Sequence, residues 1–198
     1  MIHRRIARLT PLLFSSLIIS CSSSNTKAPD LTESPLMSEA EQKKLEAAIP
    51  GSPYQVMEKW GEEHAKTLGV PERTGWIDSW GPVYGDIDGD GDVDGIGFYN
   101  MSHGGNSLVE QIAVFLNDGK GLVFDATIEV GGTGNWMTGE VLRIESNRMT
   151  ASTSIWLEDD AQCCPKGAGY VVFAYRKGSI SVEKQEPKGR YDSMNEDS

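Results

Sequence analysis

Asp86 to Tyr99 reads DIDGDGDVDGIGFY, and its first nine residues carry five aspartates, at alternate positions from Asp86 to Asp94. In a strand, alternate side chains share one face. Asp86, Asp88, Asp90, Asp92 and Asp94 would then stack five like charges with nothing to offset them. Gly89 and Gly91 permit a tight turn instead, so residues 86–94 are read as a loop. The chain changes character ahead of this loop. Residues up to Gly69 have helical spacing, and those after Pro71 have strand spacing.

Upstream, Ser38 with Glu41 three residues later forms a capping box ahead of the helix-forming run EAEQKKLEAA, which stops before Pro50-Gly51. Ser52 caps a second helix with Pro53 at its first position and Gln55 at its third. Val56, Met57, Trp60, His64 and Leu68 recur at helical spacing, and Gly69 with Pro71 marks the stop. The aromatic stretch from Trp76 to Tyr84, broken by Gly81-Pro82, opens the strand region.

Beyond the loop, GIGFY is a short strand and MSHGGNS, residues 101–107, a loop. LVEQIAVFL, Leu108 to Leu116, is a strong strand closed by the turn signal Asn117-Asp118-Gly119. Leu122 to Val130 is its pairing candidate. Two more hairpins are expected around Ser146-Asn147 and Arg176-Lys177-Gly178. The expected fold is α+β, with N-terminal helices packed on a mainly antiparallel sheet and one Asp-rich loop between strands. The domain is expected over residues 38–183, with helices in 38–69 and the sheet region in 75–183. Residues 184–198 are read as a polar disordered tail.

A flexible carboxylate-rich loop suits calcium, which takes six to eight oxygen ligands. With Asp86 as position 1, Asp86, Asp88, Asp90 and Asp94 fill positions 1, 3, 5 and 9, and Gly91 supplies the turn at position 6. Asp92, at position 7, can add its backbone carbonyl. An EF-hand needs a bidentate glutamate at position 12, and Gly97 stands there. The segment instead resembles the calcium loop of FG-GAP and VCBS-type repeats, Asp-x-Asp-Gly-Asp-Gly-x-x-Asp between strands. FLNDGKG, Phe115 to Gly121, is similar to the strand and turn that come after such loops. One copy does not make a propeller, which needs several blades. The expected role of calcium is to fix a strand connection. The alternative is a solvated Asp/Gly turn without metal.

Asp159-Asp160-Ala161-Gln162-Cys163-Cys164-Pro165 is the second unusual segment. Taken with Gly85 to Gly91, Phe115 to Gly121, Val141 to Trp156 and Tyr170 to Val182, it makes residues 76–183 resemble a family of poorly characterised bacterial secreted proteins and lipoproteins. Members of that family carry an Asp/Gly loop and, later in the chain, an Asp-x-x-Cys-Cys-Pro motif. The resemblance implies a fold and no activity. Cys163 and Cys164 are adjacent, so a vicinal disulfide, free thiols, a soft-metal site and two buried small side chains all stay open.

The N-terminus is read as an export signal. Arg4, Arg5 and Arg8 precede and enter an apolar run from Ile6 to Ile19, too short and weak for a membrane span. The run ends Ile18-Ile19-Ser20-Cys21, which resembles the bacterial lipobox. That resemblance implies cleavage after residue 20 and lipid on Cys21, and more than one acyl chain gives stable membrane anchoring. Ser22 in place of aspartate resembles cargo sorted to the outer membrane, facing the periplasm or the cell surface. Residues 21–37, rich in Ser, Thr and Pro, are read as a flexible tether.

Lys plus Arg number 18 against 29 acidic residues, a formal net charge of −11. Since three arginines lie in the leader, the rest of the chain is more acidic still. Such a surface repels nucleic acid and favours cations or basic partners. Catalysis has thin support. A hydrolase would combine His103 with Ser102 or Ser107 and a loop aspartate, yet no nucleophile-elbow motif occurs. His64 lies on the apolar stripe of its helix and reads as a packed residue. The favoured reading is a non-enzymatic, envelope-anchored lipoprotein with a structural calcium loop, and a protein- or glycan-binding surface built from its aromatics. A purely structural lipoprotein without metal is the third reading.

Overall fold

The computed structural model describes residues 38–70, 76–77, 82–104, 107–132, 137–155, 159–160 and 166–186. Among these residues two helices, α1 (Glu39–Glu46) and α2 (Pro53–Thr67), precede nine strands. The strands are β1 (Trp76–Ile77), β2 (Val83–Gly85), β3 (Asp94–Gly104), β4 (Ser107–Asn117), β5 (Leu122–Gly132), β6 (Met137–Glu145), β7 (Arg148–Ile155), β8 (Gly167–Arg176) and β9 (Ser179–Glu186). Every strand pairing is antiparallel. The expected α+β class holds, with the strands divided between two sheets. The first has the order β1-β3-β4-β5, with β2 sharing the β3 edge with β1, and the second is a meander of β6 to β9.

The helices end as their sequence dictates. Ser38 accepts the Glu41 backbone N–H through Oγ at 3.3 Å, and the Glu41 carboxylate takes the Ser38 N–H at 2.8 Å, so the capping box is formed. Ser52 sits at the second N-cap, but its side chain makes no capping hydrogen bond. Pro53 begins the helix there, with no N–H to satisfy. At the far end, Gly69 at φ +70° lets its own N–H reach the Lys66 carbonyl and the Val70 N–H reach that of Ala65, a Schellman ending.

Alternation along the central strands builds three layers. Ile96 and Phe98 of β3 and Ile112 and Val114 of β4 face the second sheet, where Met149, Ala151, Ile155, Val171, Phe173 and Tyr175 meet them. Tyr99 and Met101 of β3 and Ala113 and Phe115 of β4 face the helices, packing with Ile49, Met57, Ala65 and Val70. The first sheet is therefore covered on both faces. This accounts for the nearly unbroken apolar run Ile112-Ala113-Val114-Phe115, since strands buried on both sides lose the polar alternation. Pro53, Met57, Gly61 and Ala65 are the buried stripe of α2, at the four-residue spacing of one helix face. Although no side chain of α1 is fully buried, Gln42 ties the helix down. Its amide accepts the Tyr84 N–H at 2.7 Å and donates to the Tyr84 carbonyl at 3.3 Å, so a side chain stands in for a neighbouring strand.

Three sequence boundaries shift. The expected loop 101–107 is mostly strand, because β3 runs on to Gly104 and pairs with β4 as far as Gly104↔Ser107. β8 begins at Gly167, three residues before the expected Tyr170. β9 continues to Glu186 along the β8 edge, with Tyr170 opposite Glu186, so its polar end belongs to the sheet.

Candidate metal centre

β2 and β3 form a hairpin with Gly85 opposite Asp94, so residues 86–93 are its connection. The loop winds on its own side chains. Asp86 accepts the N–H of Gly89 at 2.7 Å on Oδ1 and that of Gly91 at 3.1 Å on Oδ2. Asp88 accepts the Asp90 N–H at 3.1 Å, and Asp90 that of Asp92 at 2.8 Å. Short aspartate side chains turn the backbone in this way. Gly89 and Gly91 sit at φ +83° and +94°, in the left-handed region where a side chain costs about 1–2 kcal/mol.

The winding brings one carboxylate oxygen each from Asp86, Asp88 and Asp94 within 4.8 Å of one another. Oxygens bound to one calcium lie about 2.3–2.6 Å from it, and hence at most about 5 Å apart. The spacing of the three admits a divalent cation at their centre. Asp90 and Asp92 are exposed and lie outside this group.

Asp94 differs from the other loop aspartates. It is 1% exposed. Its Oδ2 accepts the Ile87 N–H at 3.0 Å, and its Oδ1 accepts the Asn117 N–H at 2.9 Å. One carboxylate thereby joins the loop to the end of β4 and the turn 118–121. Among the described residues no lysine or arginine pairs with it. Burial pushes its carboxyl up to about 6, with Asp88 and Asp90 adding to the rise, against the two backbone N–H groups that hold it down. A buried carboxylate so placed is favoured by a proton or a cation.

That preference fixes a sign. In chelator, folded Asp94 binds its proton at a higher pH than the unfolded chain does. Its charge therefore costs stability above about pH 6, and the cost disappears as pH falls toward the unfolded value of 3.8. The span corresponds to on the order of 3 kcal/mol. In urea unfolding with chelator at pH 7 and pH 5, wild type should gain on Asp94→Asn as the pH drops. A difference between the two proteins that ignores pH would remove the argument.

The loop is also stitched to the second sheet. Ile87, 1% exposed in the core between the sheets, gives its carbonyl to the Asn147 N–H at 2.8 Å, and Asn147 gives its own to the Tyr175 N–H at 2.9 Å. Asn147 takes φ +65° at the β6–β7 turn, a conformation asparagine tolerates better than most residues. Asp125 of β5 completes the seam, accepting the Tyr175 hydroxyl at 2.7 Å and the Gly178 N–H at 2.6 Å. The centre thus sits where β2–β3, β4–β5 and β6–β7 converge.

The other sequence candidates fall elsewhere. Cys21, Cys163 and Cys164 lie outside the described residues, as do the side chains of Ser102, His103 and Ser107. Asp160 is buried and accepts the Lys166 N–H at 2.8 Å. His64 stacks on Trp60 at 4.5 Å, with its Nε2 2.9 Å from the Gln111 side-chain oxygen, a packed position as expected. The roles of Asn117, Asp125 and Asn147 were not read from the sequence. Asp125 carries no local signal, whereas Asn117 and Asn147 register only as turn residues. No protein-family model, no curated protein and no solved structure matches the chain.

Proposed function

We propose that this protein is an exported, lipid-anchored envelope domain whose 86–94 loop binds calcium as a structural clamp. The observation that carries the metal reading is the buried Asp94 carboxylate, without a cationic side chain among the described residues and with Asp86 and Asp88 oxygens beside it. Calcium suits such a cage better than magnesium, which keeps several waters and rarely accepts all-protein ligation. Bound there, the ion offsets the Asp94 charge, and it holds the loop from which Ile87 reaches the second sheet. The role is to rigidify a corner of the fold and whatever protein or glycan surface that corner supports.

At a hundred times its dissociation constant a ligand adds about 2.7 kcal/mol to stability. For a domain of this size that is a rise of roughly 5–10 °C in the thermal midpoint. Thermal unfolding in chelator and in excess calcium should show this rise in wild type and lose it in Asp88→Asn. Equal midpoints with and without calcium would refute the clamp.

Anchoring rests on the leader 1–20 and on Cys21. Among the described residues no helix is long and apolar enough to cross a membrane; lipid on Cys21 is the proposed route of attachment. In a bacterial host fed a labelled fatty acid, the full chain should take up label and sediment with membranes, and Cys21→Ala should do neither. An unlabelled wild-type chain would end the lipoprotein reading while leaving the calcium reading standing.

A further inference from the structure

We draw no further inference here: the strongest candidate, the half-exposed aromatic stack that Trp60 and His64 of α2 form with Phe124 of β5, is an unpartnered face, and nothing in the structure shows what covers it.

Discussion

Replacing Asp94 by alanine should destabilise the protein by about 1 kcal/mol in chelator at pH 7 and by about 4 kcal/mol in saturating calcium. The first figure comes from hydrogen bonds. Alanine leaves the Ile87 and Asn117 N–H groups without their acceptors, and each orphaned buried donor costs about 1–3 kcal/mol. Loss of the buried charge, which costs on the order of 3 kcal/mol at pH 7, offsets most of this in the metal-free protein. The second figure adds the calcium stabilisation that wild type gains and the variant cannot, about 2.7 kcal/mol at a hundredfold excess over the dissociation constant. Asp94→Asn separates the two contributions. It keeps one acceptor oxygen and no charge, so it should lie within about 1 kcal/mol of wild type in chelator while losing the calcium increment in full. Urea unfolding of the three proteins with and without calcium measures both. An alanine penalty that is the same in the two conditions would mean that Asp94 is a local staple and no ligand.

Tyr99→Ala should cost about 4 kcal/mol, whatever the calcium concentration, by the usual penalty for emptying a large aromatic site. The ring is 1% exposed and is wedged between two glycines. A Cβ on Gly61 of α2 would come within 2.5 Å of it, and one on Gly97 of β3 within 2.7 Å. Trp60 lies against it with ring centroids 5.0 Å apart, and its hydroxyl donates to the Met57 carbonyl at 2.9 Å. This residue joins the helical layer to the first sheet. Tyr99→Phe keeps the packing and removes only the hydrogen bond, so it should cost about 1 kcal/mol. Equal losses for phenylalanine and alanine in chemical unfolding would show that the hydroxyl, and not the wedge, holds the layers together.

The contrast between these residues shows where sequence reading succeeds. The loop was legible because its signal is local. Five carboxylates at alternate positions are untenable in a strand, and Gly89 and Gly91 stand where the backbone takes positive φ. The capping box at Ser38 and the stop at Gly69 were legible for the same reason. Which aspartates converge was not legible. Spacing alone offers all five. The hairpin register that sets Gly85 opposite Asp94 brings Asp86 and Asp94 to its two ends, and the turns at 88–92 point Asp90 and Asp92 outward. The division into two sheets also escaped local patterns. Alternation assigns two faces to each strand but does not say what covers them. Tyr99 shows the same limit, since its partner Gly61 is distant in sequence and glycine in a helix reads only as a weak former.

The central claim is that the Asp86–Asp94 loop is a calcium site. Its most direct test is calorimetric titration of calcium into the metal-stripped chain lacking residues 1–21, beside the Asp88→Ala/Asp90→Ala variant. The account predicts saturable binding of one ion in wild type, within the roughly micromolar to millimolar range of such loops, and no binding heat in the variant. A flat titration of folded wild-type protein up to several millimolar calcium, beyond the weakest affinities of about 10⁻³ M for such modules, would contradict it and leave residues 86–94 as a turn held by its own hydrogen bonds.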